Sequence, residues 1–251
     1  VAGMMIKSHI VDDLYFESPE SLSKIYTQFE PLSTKVVCKH LKVGDTFLDI
    51  GANFGYFALL AAHKVGPTGQ VIAVEASPEV LPQLRKNLQA CAHAEVIHAA
   101  VGKEKGTTAF FLTEDFVNSG VSQSPFLKPA RKISVAMDTI DNLLAARGSG
   151  NDTVQFIKCD VQGDEMAVLE GARQSISKAE RLNMIIEWAP AWMSKAGFEP
   201  KEFPAFLKSL GFTSLTVVDD YLQKTMSIEE MEAEFRKDTT GRRFCNVLAE
   251  K

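Results

Sequence analysis

The chain has 251 residues, with 27 Lys and Arg against 32 Asp and Glu, a formal net charge of −5. That mild acidity argues against a surface built to neutralise many phosphates, so neither a nucleic-acid coat nor a polybasic membrane binder is expected. Hydrophobic residues at 45% and charged residues at 24% are ordinary globular proportions and exclude a disordered or collagen-like chain.

The opening VAGMMIKSHI is too short and too polar for a signal peptide, and without an initiating Met it leaves room for a missing upstream segment. No apolar run approaches the ~20 residues that cross a bilayer. Cys38, Cys91, Cys159 and Cys245 lie far apart with no C-x-x-C spacing, so reduced, packed thiols in a cytoplasmic protein are expected.

In chain order, Leu22, Ile25, Tyr26 and Phe29 fall at i, i+3, i+4 and i+7, which predicts one or two helices over 19–41. Residues 1–42 then form an N-terminal helical extension or lid ahead of a domain spanning 43–251. From residue 46, short β-branched runs alternate with helical patterns, the rhythm of a mostly parallel sheet covered on both faces. The strands are expected at 46–50, 70–75, 95–101, 154–160, 183–188, 213–218 and 245–249. A helix over 77–88 takes Ser77 as N-cap and Pro78 at its first position, with Pro82 awkward inside it. Others follow Gly163, with Met166, Leu169, Ala172 and Ile176 on one face, and span 200–210.

Two stretches break the rhythm. KGTTAFFL reads as an extra strand, followed by the long loop EDFVNSGVSQSPFLKPA, of a length that is usually functional in a compact domain. Ser227 and Glu230 have capping-box spacing and start a helix before the final strand.

The segment FLDIGANFGYF carries Asp49 near a strand end, turns through Gly51 and Gly55 and opens a helix. A dinucleotide site wants G-x-G-x-x-G, but the second and third positions here are Asn53 and Tyr56, which disfavours a pyrophosphate cradle. Glu75 ends the next strand, where an acidic side chain accepts hydrogen bonds from ribose hydroxyls. The pattern points to a phosphate-free adenosyl ligand with an amino-acid end, S-adenosylmethionine. The plainer alternatives are an ordinary tight turn for the glycines and a solvated strand-end carboxylate for Glu75.

DIGANFG, VEASPE, AAVG at 99–102, NSG at 118–120, FIKCDVQGDEMAVLEGA at 156–172 and IIEW at 185–188 together resemble the FkbM-type methyltransferases. The resemblance covers roughly residues 43–250. It implies a Rossmann-like class I methyltransferase, α/β, with a mostly parallel seven-stranded sheet, a reversed last strand and helices on both faces. It also implies methyl transfer to oxygen, commonly a hydroxyl of a sugar or secondary metabolite. Carried over by position, Asp49, Gly51, Asn53 and Gly55 contact the methionine end, Glu75 anchors the ribose, Ala76 and Ser77 neighbour the adenine and Val101 lines its other face. Asn118 and Ser119 approach the cofactor or simply form a turn. One departure stands out, Gln162 in place of the Glu of D-V-E-G.

Ligands of open α/β sheets sit beyond the carboxyl ends of the strands, so Asp160 and Glu187 share the crevice of Asp49 and Glu75, with Glu165 one turn into the next helix. Asp160, Glu165 and Glu187 are therefore the candidate catalytic carboxylates, Asp160 also touching the cofactor, since an alcohol needs its proton taken before it attacks. The competing roles are a helix cap for Asp160 and a helix-start preference for Glu165. His9, His40, His63, His93 and His98 lie away from the expected strand ends, only His98 within a strand, and none is a candidate. No metal is assigned, although an ion held by Asp160 and Glu187 would be a variation on the same chemistry. Trp188, Trp192, Phe116 and Phe126 are candidates to wall the acceptor pocket. The expected partner is a small hydroxylated molecule, not nucleic acid or a membrane. The alternatives are a nicotinamide-dependent oxidoreductase, a nitrogen methyltransferase on the same fold, and an inactive cofactor-binding module.

Overall fold

A computed structural model describes residues 5–26, 29–115, 117–148 and 153–251. The chain opens with a hairpin, β1 (Met5–His9) against β2 (Tyr15–Pro19), followed by the short helix α1 (Ser23–Tyr26) and by α2 (Pro31–His40). The two helices match expectation; the hairpin ahead of them does not, and it puts His9 in a strand.

The α/β body follows: β3 (Thr46–Ile50), α3 (Tyr56–Val65), β4 (Gln70–Glu75), α4 (Leu81–Leu88), β5 (Ala94–His98), β6 (Ala100–Val101), β7 (Gly106–Leu112), β8 (Arg131–Asp138) and α5 (Ile140–Ala145). Its second half is β9 (Phe156–Cys159), α6 (Glu165–Glu170), α7 (Arg173–Lys178), β10 (Asn183–Trp188), α8 (Pro190–Lys195), α9 (Phe203–Ser209), β11 (Ser214–Asp219), β12 (Lys224–Met226), α10 (Ile228–Lys237) and β13 (Cys245–Glu250).

Among the described residues, eight strands form the main sheet in the order β12-β11-β13-β10-β9-β3-β4-β5, one short edge strand more than the seven expected. β3, β4, β5, β9 and β10 run parallel, and β13 inserts antiparallel between β10 and β11 as the reversed last strand. Alternate residues of the central strands feed two cores. Leu48, Ile50, Ile72 and Ile157 face the side covered by α5, α6, α7, α9 and α10, while Phe47, Val71, Ala73 and Phe156 face α2, α3 and α4. Burial on both faces explains why these strands read as continuous apolar runs. The N-terminal segment joins the second core: Phe16, Tyr26 and Phe29 make ring contacts with Tyr56 of α3.

The chain runs outward from β3 to β4 and β5, then returns to the other flank of β3 as β9. That reversal opens a crevice beyond the carboxyl ends of β3 and β9, the ligand position of open α/β sheets.

Three local expectations need correction. The helix after β4 starts at Leu81 with Val80 as N-cap, not at Ser77. Starting there puts Pro82 in the first turn, where its missing N–H costs nothing, and the Ser77 amide donates to Glu75 Oε1 instead, at 2.7 Å. The strand expected over 95–101 breaks at Ala99, and Ala100–Val101 crosses to a separate three-stranded sheet with β7 and β8. β8 and α5, the latter capped by the Thr139 side chain, lay outside the expected elements. The capping box of Ser227 and Glu230 is present as expected.

Candidate active site

A cavity of about 360 Å³ fills the crevice. Its floor is the strand-end row of Asp49, Glu75, Lys158 and Glu187, with Asp160 just past β9, and its roof includes Ile25, Tyr26, Phe29 and Glu30. Ala76, Ala99, Ala100, Val101 and Phe110 line an apolar side, continued by Asn118 and Ser119 from the long loop.

Glu75 is fixed by two backbone amides, Asn53 N–H to Oε2 and Ser77 N–H to Oε1, each at 2.7 Å. Asn53 can turn its amide that way because it adopts left-handed backbone, φ 50. Burial raises the Glu75 carboxyl above its ordinary range, and the backbone amides oppose that. Asp49 is also buried, pushed up to about 7 chiefly by desolvation, and its Oδ2 has no hydrogen-bond partner among the described residues.

Gly51 is required, but not for the reason its motif suggests. A Cβ there would lie 2.0 Å from the Asp160 carbonyl oxygen, and φ is +78, so the missing side chain lets β3 close on the end of β9. Gly55 is the N-cap of α3 and abuts Leu84 of α4; it does not line the cavity. Nor does Ser77, which is buried behind Glu75.

Lys158, only 2% exposed, is the cation among the described residues that line the cavity. It sits opposite Asp49 in the β3–β9 register, with Nζ 3.3 Å from Asp160 Oδ2, 3.8 Å from Glu30 Oε2 and 5.2 Å from the centre of the Phe57 ring. Desolvation opposes its charge, yet Glu30, Asp160, Glu187 and Asp49 together hold it protonated far above its ordinary range. Asp160 accepts a second hydrogen bond from Gln162 Nε2 at 2.8 Å. A Glu at 162 could not donate that bond, so the departure from the family motif is an amide serving a carboxylate. Asp160 does not cap α6, which begins at Glu165.

Glu165 does not line the cavity: it is wholly buried behind the wall, where Oε1 accepts the amides of Val161 and Gly163 at 3.0 and 3.2 Å. It shapes the 161–163 turn, and burial pushes it up to about 8. Glu187 does line the cavity, and burial raises it well above the carboxylate range, with Asp160 and Glu165 adding to the rise. Of the aromatic candidates, Trp192 lines the cavity, Phe126 backs Trp192, Trp188 is core against Phe203 and Phe235, and Phe116 lies outside the described residues.

Lys158 and Glu30 were missed. Lys158 had a signal, a charge in the middle of the apolar run FIKC. Glu30 had none; it arrives from the N-terminal segment in left-handed backbone, φ 39, and its Oε2 accepts Asn246 Nδ2 at 2.9 Å.

A carboxylate pinned at the end of β4, a glycine turn without a phosphate cradle and an apolar slot suit an adenosyl group, and the orphaned Asp49 oxygen suits its amino-acid end. With the switched parallel sheet and reversed final strand, this is the architecture of S-adenosylmethionine-dependent class I methyltransferases. The model for the methyltransferase FkbM domain matches residues 49–214, and the chain belongs to that family. It is 28% identical over 160 residues to a protein-L-isoaspartate O-methyltransferase of Arabidopsis thaliana, covering 57% of this chain and 70% of that protein. A 45-residue match at 44% identity to an arsenite methyltransferase of Halobacterium salinarum covers 18% of this chain but only 12% of that protein. Among solved structures, an S-adenosylmethionine-dependent O-methyltransferase of Thermotoga maritima superposes with a TM-score of 0.50 at 13% identity, over 94% of this chain and 73% of that one, a likeness of fold. S-adenosylmethionine is the cofactor, and the nicotinamide alternative falls with the family assignment. No helix among the described residues is long and apolar enough to cross a membrane.

Proposed function

We propose that the protein methylates a hydroxyl oxygen of a small molecule such as a sugar or secondary metabolite. S-adenosylmethionine supplies the methyl group on a positively charged sulfur, and the protein contributes alignment, an apolar enclosure and removal of the acceptor's proton. Asp49, Asn53, Glu75, Ala76 and Val101 would hold the cofactor, and Asp160 would take the proton.

The observation that carries this reading is the setting of Asp160. It lines the cavity just past the end of β9 and makes the shorter of the two Lys158 contacts, 3.3 Å against 3.8 Å to Glu30, while Gln162 donates to its other oxygen at 2.8 Å. Glu187 lines the cavity too, but burial raises its carboxyl well above the ordinary range and disfavours the ionised form a base needs. The name of the Arabidopsis relative, an O-methyltransferase of protein L-isoaspartate, supports oxygen as the acceptor element but not a hydroxyl in particular.

The test is transfer of labelled methyl from S-adenosylmethionine to a panel of hydroxylated sugars and macrolides beside their amine counterparts. Label on oxygen supports the reading; label on nitrogen replaces it with the nitrogen methyltransferase, and cofactor binding without transfer to any acceptor favours an inactive binding module.

A further inference from the structure

We propose that Asp160, Glu165 and Glu187 form a binding site for one hard divalent cation, Mg²⁺ or Mn²⁺. One carboxylate oxygen from each lies within 4.8 Å of the other two. An ion with metal–oxygen distances of about 2.1 Å places adjacent ligands about 3 Å and opposite ligands about 4.2 Å apart, so the three oxygens need only small side-chain shifts to close on one.

The second observation is independent of that clustering. Glu165 and Glu187 are 0% and 6% exposed, and Oε2 of each has no hydrogen-bond partner among the described residues. Oε1 of Glu165 is already committed to the Val161 and Gly163 amides, which fixes the side chain and leaves Oε2 as its free donor. Leaving buried polar oxygens unsatisfied is costly, and a native fold normally provides a partner. Lys158 is not that partner, since its hydrogen bond goes to Asp160.

An all-carboxylate donor set selects a hard cation over zinc or copper. Asp160 and Glu187 line the cavity while Glu165 stands behind it, so an ion would enter from the cavity and keep its remaining positions open toward it. Those positions suit water or paired hydroxyl oxygens of an acceptor. The alternative partner is a proton shared between the two glutamates.

The inference does not depend on the acceptor's identity, and its test uses no methyl transfer. MnCl₂ is titrated calorimetrically into chelator-treated protein, with Mn²⁺ paramagnetic resonance as a second readout and S-adenosylhomocysteine binding as the check that each variant is folded. The expected result is one Mn²⁺ per chain, weakened about tenfold or more in Glu187→Gln and in Glu165→Gln. Glu187→Gln keeps the test decisive if Glu165→Gln disturbs the turn it supports. Absence of binding at millimolar Mn²⁺, or equal affinity in wild type and a folded Glu187→Gln, overturns the proposal.

Discussion

The Lys158 ammonium lies 3.3 Å from Asp160 Oδ2, on the strand end beside the residue that the proposed chemistry uses as base. Burial raises the carboxyls of Glu30, Asp49 and Glu187, and the Lys158 charge opposes that rise in all three. Lys158→Met removes that cation and leaves the acids facing one another. Turnover is expected to fall about 100-fold or more, with the acidic limb of the rate–pH profile moved to higher pH, because each neighbouring carboxyl then holds its proton more tightly. A rate–pH series on both proteins checks it; an unshifted limb would remove Lys158 from this role.

Gln162→Glu converts the donor on Asp160 Oδ1 into a second carboxylate. Loss of that bond plus like-charge repulsion is expected to lower kcat about tenfold at pH 7, with S-adenosylhomocysteine affinity nearly unchanged. Steady-state kinetics with calorimetry separates the two effects.

Gly51→Ala puts a methyl against the Asp160 carbonyl in backbone that L residues rarely adopt. Left-handed strain and overpacking together are expected to cost about 2–5 kcal/mol, read as a lower urea midpoint. Gly163→Ala is expected to act in the same direction, since its Cβ would lie 2.6 Å from the Trp192 carbonyl oxygen.

Stability is expected to fall as pH rises from 5.5 to 8. Burial raises Glu30 and Asp49 to about 7 and Glu165 to about 8 from ordinary values near 4, so in this window the folded chain binds more protons than the unfolded one. The stability of the protonated groups is therefore complete below their unfolded pKa and is lost as pH climbs through the folded one. Lys158, raised in the fold, keeps its contribution throughout this window. Thermal midpoints at the two pH values measure the slope, and Glu30→Gln is expected to flatten it.

Much of this was legible in the chain because it is local. The alternation of apolar strands and helices gave the sheet, and the offset from Gly51 to Glu75 placed an acidic side chain at the end of the next strand. Gly51 shows where local reading stops: its turn was visible, but the contact that demands glycine is with Asp160, brought close only by the β3–β9 register. Helix spacing sets Glu165 near Asp160, as expected, but did not reveal that its Oε1 folds back onto the 161–163 turn and leaves the residue behind the cavity wall. Glu30 reaches the site through tertiary packing with Lys158 and Asn246, which no spacing encodes.

The central claim is that Asp160 takes a proton from a hydroxyl while the neighbouring pocket presents the methyl donor. Single-turnover transfer of labelled methyl, compared between wild type and Asp160→Asn on the best hydroxylated acceptor, tests it most directly. The account predicts label on oxygen and a rate at least about 100-fold lower in the variant with cofactor affinity retained. Equal rates in the two proteins, or label found on nitrogen or carbon, would contradict it.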